Sequence, residues 1–177
     1  MPNIVYIATS IDGYIADKEG GLDWLFSTPN PDNSDFGYSD FINRIDAIVM
    51  GRKTFETVCG FECDWSYTKP VFVLSNSLTA VPEEYEEKAE LISGPLREVV
   101  YAINQKGYKE LYIDGGITIQ SFLKENLIDE LVITKVPVLL GGGVPLFGKL
   151  SEPINFEHVK TEVLLNAMVQ SHYRRLP

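Results

Sequence analysis

The feature that most constrains the fold of this chain is a series of short apolar runs, each closed by glycine, proline or polar residues and followed by a stretch with helical spacing. Residues 4–9, 47–50, 71–75, 89–92, 110–114 and 130–138 read as strands. Several are continuously apolar rather than alternating. That is the pattern of strands buried on both faces, so it predicts a parallel sheet covered by helices on either side. Leu96, Val99, Val100 and Ile103 recur at helical spacing behind Pro95, with Gly107 as a stop. Residues 118–125 predict a second helix that buries Ile119, Phe122 and Leu123. The C-terminal stretch changes period: Phe156, His158, Lys160 and Glu162 alternate, and Asn166-Ala167 punctuates before residues 168–174, as in an antiparallel pair. The expected architecture is α/β, a mostly parallel central sheet with helices on both faces and an antiparallel C-terminal edge. A length of 177 residues with 45% hydrophobic content suits one sizeable core and is short for two, so residues 1–177 read as one domain.

A formal charge of -10 argues against general affinity for nucleic acid or anionic membrane, because neutralising phosphates needs clustered cations. Any anionic ligand must be met by a local basic site. The start Met1-Pro2-Asn3 runs into an apolar strand with no basic leader or long apolar segment, and a cytoplasmic protein is expected. Cys59 and Cys63 are the only cysteines, with His158 and His172 the only histidines, so no metal site is expected and both thiols read as free.

Four segments fall at predicted strand ends, where open α/β sheets bind ligands: residues 8–16, the turn Gly51-Arg52-Lys53-Thr54, Leu74-Ser75-Asn76-Ser77, and Ile113-Asp114-Gly115-Gly116-Ile117-Thr118. In the second, an apolar run ends in glycine and opens a helix with two cations and a hydroxyl. Unpaired amides and the helix dipole make such a junction a seat for phosphate, although the same pattern also serves as a plain helix start. In the fourth, two glycines permit close backbone approach and leave amides free at the helix start. Two phosphate-capable junctions with Ser75 and Asn76 between them fit a dinucleotide better than a single phosphate.

Taken together these segments resemble the dihydrofolate reductase superfamily. Within it, they are most similar to the reductase domain of the bifunctional riboflavin-biosynthesis deaminase/reductase and its stand-alone relatives. The resemblance is carried, in order, by Ser10-x-Asp12-Gly13-Tyr14-Ile15-Ala16, Met50-Gly51-Arg52-Lys53-Thr54-Phe55-Glu56, Leu74-Ser75-Asn76, Asp114-Gly115-Gly116-x-Thr118, and Pro137-Val138-Leu139-Leu140-Gly141-Gly142-Gly143-x-Pro145-Leu146-Phe147. It implies a dihydrofolate reductase-like three-layer fold and an NADPH-dependent reductase of a ribosylaminopyrimidine-like heterocycle. It also implies that Ala8 and Ile15 line the nicotinamide. Gly51, Arg52, Lys53 and Thr54 would hold phosphates including the 2′-phosphate, Leu74, Ser75 and Asn76 would flank the adenosine end, and Ile113, Gly115, Gly116, Ile117 and Thr118 would meet the diphosphate. A homodimer built through residues 136–140 and the antiparallel pair is part of the same expectation. Dihydrofolate reduction, or NADPH binding without catalysis in a sensor or partner subunit, are the alternative functions. These residues hold no His/Cys/Cys zinc pattern of a deaminase.

Two carboxylates are candidates for catalysis. Dihydrofolate reductases place an acid on the first helix, and counting back from Gly51 without gaps puts Asp35 there; a one-segment slip puts Asp40 there instead. Beside aromatic residues such a carboxyl is expected to have a raised pKa suited to acid catalysis, and its competing role is a helix N-terminal partner. Asp12 follows the first strand and is either a substrate contact or half of an Asp-Gly turn. Trp24, Trp65, Phe26, Phe36, Phe61 and Tyr38 either stack on a planar heterocycle or fill core. Polar residues 27–34 form either a lid or a surface excursion. The run Gly141-Gly142-Gly143 has no helix after it and is expected to shape a loop rather than to bind phosphate.

Overall fold

The computed structural model describes residues 1–61 and 64–177. The six apolar runs form β1 (Asn3–Thr9), β3 (Ala47–Gly51), β4 (Val71–Leu74), β5 (Ala89–Ile92), β6 (Leu111–Asp114) and β7 (Glu130–Lys135), all mutually parallel. β10 (Met168–Arg175) joins β7 antiparallel, and β9 (Phe156–Leu164) forms the outer edge, giving the order β5-β4-β3-β6-β1-β7-β10-β9. The expected α/β architecture with its antiparallel C-terminal edge is therefore present. The last parallel strand stops at Lys135 rather than Val138, because the chain turns there. The Val136 amide donates to the Thr9 carbonyl, and Pro137 has no amide to continue a ladder.

Helices cover both faces as continuous apolar strands require. Ile48 and Met50 face α1 (Tyr38–Arg44) and α2 (Arg52–Cys59), packing with Phe41, Ile45 and Phe55. Ala47 and Val49 face α3 (Leu96–Gln105) and α4 (Gly116–Lys124), packing with Val99, Ile103, Ile119 and Phe122. These four residues of β3 are all 0% exposed, which is why the sequence carries no polar alternation there. The helix expected at residues 118–125 begins two residues earlier, at Gly116.

One element was not foreseen, and one expected turn takes an unusual conformation. β2 (Tyr14–Ala16) and β8 (Val144–Pro145) form a separate small antiparallel sheet, too short to leave a periodic signal. The β9–β10 turn centres on Leu165 and Asn166, at φ +53° and +52°, with the Ala167 amide donating to the Leu164 carbonyl at 3.0 Å. A leucine in this left-handed conformation is held there by packing beside Trp24, Val136 and Met168. Residues 27–34 form a loop, closed on itself by Asn30, whose side chain brackets the Ser34 amide and carbonyl at 2.8 Å each. Cys59 is a free thiol, and Cys63 lies outside the described residues. Among the described residues no helix is long and apolar enough to cross a membrane.

One charged cluster ties α1 to the sheet. Arg44 donates bidentately to Glu130, at 2.9 and 3.0 Å, and to Glu110 at 2.7 Å; His172 on β10 donates to the same Glu130 at 3.0 Å. Burial pushes the Glu130 carboxyl up, but the hydrogen bonds and charge of Arg44 and His172 outweigh it and hold its pKa below 4.5. Arg44→Ala is expected to destabilise the protein by about 2–3 kcal/mol at neutral pH, less than for a fully buried pair because Arg44 is partly exposed. A depressed carboxylate stabilises above its unfolded pKa and loses that contribution as pH falls. Urea titrations should therefore show the gap between wild type and variant narrowing below pH 4.5; a gap independent of pH would contradict this account.

Candidate functional site

β3 and β6 are neighbours, yet β3 leads through α2 outward to β4 while β6 leads through α4 across to β7. Their C-terminal ends therefore diverge, and the crevice of this switch point is where an open sheet accepts a ligand. The two strand–helix turns interlock across it. A Cβ at Gly115 would run into Thr54 Oγ1, and one at Gly51 would sit 2.6 Å from Thr118 Oγ1. Gly115 also holds φ at +93°, a conformation that side chains resist. Neither helix has a side-chain cap, which leaves the first-turn amides of both without a capping side chain, the arrangement that suits an anion at a helix start.

The predicted phosphate and adenosine segments meet here. Arg52 donates to Glu56 at 2.8 Å and reaches across to Ser77 Oγ at 2.9 Å, which links α2 to the loop after β4. Ser75 Oγ accepts from the Ser77 and Leu78 amides, so its hydroxyl shapes that loop while Asn76 beside it is exposed. Lys53 and Ile117 are exposed, Thr54 and Leu74 half-buried, and Thr118 buried. Ile113 differs from the others: its side chain is 0% exposed in the core, so it can offer a ligand nothing beyond its backbone.

The small β2–β8 sheet lies over the double glycine. Ile15 Cδ1 stands 2.7 Å from where a Gly116 Cβ would be, and the Pro145 carbonyl is next to the same point. Ala8, half-buried and next to last in β1, packs instead against Trp24, Val136 and Met168. Of the glycine run, Gly143 is required by backbone contact, since a Cβ there would strike Ala16 and Asp17. Asp12 latches this arrangement: it accepts from Ser10 Oγ at 2.6 Å, the Leu140 amide at 3.1 Å and the Gly141 amide at 2.8 Å. The Ser10 hydroxyl first, then those amides, hold its pKa below the usual value.

Asp35 corrects an expectation. Its carboxylate accepts from the Gly37 and Ser39 amides at 3.0 Å each, fastening the start of α1. Hydrogen bonds from the Ser39 side chain and these amides lower its pKa rather than raise it. It is an exposed, ionised helix partner, and the raised pKa expected of an acid is absent. Asp40, also exposed, sits in the first turn of the same helix.

The carboxyl with the properties of an acid is Asp114, at the end of β6. Burial pushes its pKa up to about 6 against the opposing hydrogen bonds of the Gly115 amide, at 2.9 Å, and of Tyr112. The sequence places it directly before the double glycine, but its role was not assigned there; a carboxyl closing a fully apolar strand was the available signal. Trp65 and Tyr38 pack against the core on the α1–α2 side, and Trp24 and Phe36 pack beneath the C-terminal ribbon; Phe26 is 83% exposed and Phe61 48%.

The family described as the RibD C-terminal domain matches residues 4–170. The chain is 57% identical to a Shewanella sp. PV-4 protein described as a putative riboflavin biosynthesis protein, with a TM-score of 0.98 and all of both chains covered. A Thermotoga maritima diaminohydroxyphosphoribosylaminopyrimidine deaminase/5-amino-6-(5-phosphoribosylamino)uracil reductase superposes with TM-score 0.73 at 18% identity, covering 99% of this chain and 57% of that one. Dihydrofolate reductase of Enterococcus faecalis, complexed with NADP(H), superposes with TM-score 0.65 at 18% identity over 98% and 96% of the two chains.

The Asp114 geometry carries its own prediction. A carboxyl whose folded pKa exceeds its unfolded one favours the fold below 3.8, the ordinary aspartate value, and loses that contribution as pH rises through about 6. Asp114→Asn should therefore unfold at a higher temperature than wild type at pH 7, with the advantage gone below 3.8. Equal melting temperatures at neutral pH would show that this carboxyl is not desolvated.

Proposed function

The chain belongs to the RibD C-terminal domain family, and from that premise we propose that it is an NADPH-dependent reductase of a ribosylaminopyrimidine-like heterocycle. Members of this reductase-domain family are oxidoreductases, and NADP(H) serves the reductases of this family and fold. The observation that carries the reading is the interlocked pair of uncapped helix starts at the switch point, with the raised-pKa carboxyl of Asp114 directly before Gly115.

The residues fit the cofactor. Gly51, Gly115 and Gly116 keep the crevice clear where a Cβ would intrude, and a diphosphate there would receive amides from α2 and α4. Arg52, Lys53 and Thr54 would hold the phosphates, the 2′-phosphate among them, with Leu74, Ser75 and Asn76 at the adenosine end. Gly115, Gly116, Ile117 and Thr118, with the Ile113 backbone, would meet the diphosphate. Ala8 and Ile15 would flank the nicotinamide, which supplies the hydride when bound.

Reducing a carbon–nitrogen or carbon–oxygen double bond by hydride also consumes one proton. The Asp114 carboxyl, near pKa 6, can hold that proton in water-poor surroundings, a role Asp35 and Asp12 cannot fill with lowered pKa values. Asp12 instead positions the loop at residues 138–141 against β2, and Asp35 orders the start of α1. A homodimer is carried forward with this reading, supported by Val163 and Val169, directly paired on the outer ribbon and 66% and 39% exposed. Light scattering at micromolar concentration that returns a mass of 19.9 kDa would reject it.

The test of the activity is loss of reduced-nicotinamide absorbance with 5-amino-6-ribosylaminouracil, with and without its phosphate, against dihydrofolate. Turnover of the ribosylaminouracil and little or none of dihydrofolate is expected; the reverse order sinks the proposal. Arg52→Ala in the same assay should raise KM for NADPH about tenfold and leave NADH nearly unchanged, since one charge-assisted hydrogen bond is worth about 1.5–3 kcal/mol.

A further inference from the structure

The small β2–β8 sheet lies over the double glycine, yet it is too short to hold itself there. β2 has three residues and β8 two, well below what an isolated antiparallel pair needs to be stable in water. Leu146, directly after β8, is 0% exposed in the main core and anchors the sheet by apolar contact. Burial of that kind has no preferred direction, so it fixes the depth of the sheet and leaves its angle open. Direction comes from hydrogen bonds. Asp12 supplies one set, but its partners Leu140 and Gly141 belong to the segment that leads into β8, so they join the small sheet only to its own connection.

Gln120 supplies the other. It lies on α4 four residues after Gly116, and therefore on the same face of the helix. Its Nε2 donates to the Pro145 carbonyl at 3.0 Å, and its Oε1 lies so close to Gly148 that a Cβ there would stand 2.6 Å from it. Among the described residues this is the one side-chain hydrogen bond between either strand of the small sheet and a helix. The carbonyl it holds is the one that stands 3.8 Å from the position of a Gly116 Cβ, beside Ile15 Cδ1. Pro145 is paired with Tyr14, and the Leu146 amide donates to the Gly13 carbonyl at 3.0 Å, which carries the constraint from β8 to β2 and Ile15. α4 thus forms both walls of one space: its first turn is the floor, and its second turn holds the roof.

We propose that Gln120 is a positioning residue: by fixing the Pro145 carbonyl it holds Ile15 at one height over the Gly115–Gly116 turn, and so sets the angle at which a nicotinamide ring is presented for hydride transfer. This rests on the reductase reading for what occupies the space beside Ile15. Gln120 acts through Pro145 and β2 rather than by contact with the reacting atoms. An angular error at the reacting ring costs rate more than affinity, because hydride transfer needs the two carbons close and aligned, whereas the phosphates and the adenosine end supply binding energy of their own.

The test compares wild type with Gln120→Met, a side chain of the same length and similar helix propensity that has no donor. Adenosine 2′,5′-bisphosphate lacks the nicotinamide half and should bind both proteins equally in calorimetric titration. NADPH bound to wild type should emit at shorter wavelength than free NADPH, because the roof shields the ring from water; in the variant the emission should move back toward the free value. With 5-amino-6-ribosylaminouracil, kcat should fall about tenfold, the scale of one hydrogen bond, and KM for NADPH should stay nearly unchanged. The melting temperature should drop by no more than about 4 °C. An unchanged kcat in an active protein, or unchanged emission, overturns the inference. So does a variant that loses bisphosphate affinity or more thermal stability along with kcat, since that is a structural role. A wild type that binds no NADPH, or binds it with the emission of the free cofactor, also overturns it. Emission that depends on Gln120, in a protein that reduces no ribosylaminouracil, upholds this inference and removes the reductase reading; reduction with neither kcat nor emission depending on Gln120 does the opposite.

Discussion

The arrangement depends on one reciprocal contact: each of the two strand–helix turns at the β3–β6 switch point places a glycine where the other places a threonine. Gly51 gives room to Thr118 and Gly115 gives room to Thr54, so the two helix starts come closer than side chains would otherwise allow. Close approach of two positive helix ends is electrostatically unfavourable in isolation. It is tolerated because the crevice opens to solvent and because Asp114 ends the strand beside it. The same geometry makes the crevice a site for an anion, in a chain whose overall charge of -10 would otherwise repel one.

Glycine-dependent backbone and a desolvated carboxyl meet at this end of the sheet. Gly115 is at positive φ, Asp114 is held near pKa 6, and the loop at residues 141–143 has three successive glycines at positive φ. The frame behind them is two apolar layers on either side of a sheet, with a paired Arg44–Glu130–His172 cluster on the β10 side. A rigid frame with a few unfavourable groups at one edge is the usual distribution in a catalytic domain, where stability is given up locally to hold functional groups in place.

The sequence made the parallel sheet legible because burial on both faces removes polar alternation, and residues 47–50 show this plainly. It made the cofactor segments legible because glycine, hydroxyl and cation recur at strand ends in a fixed order. It did not reveal Asp114 as the titrating carboxyl, because its raised pKa comes from burial, which the fold creates and a local run of residues does not display. Asp35 stood between a raised-pKa acid and a helix partner for a related reason: a run of Asp, apolar, glycine and aromatic residues does not disclose whether the carboxylate faces a ring or, as here, two backbone amides.

β1 lies in the middle of the sheet, yet both its neighbours come late in the chain: Asn3 pairs with Leu111 and Ile4 with Glu130. During synthesis the first strand must wait, apolar on both faces, until most of the polypeptide has emerged. Ladders that close over such sequence separations form slowly, and they leave an unpaired central strand exposed in the meantime. The Asp12 latch to Leu140 and Gly141 closes only after them. Ligand-binding competence is therefore a property of the finished chain, and a nascent or truncated one offers neither crevice nor latch.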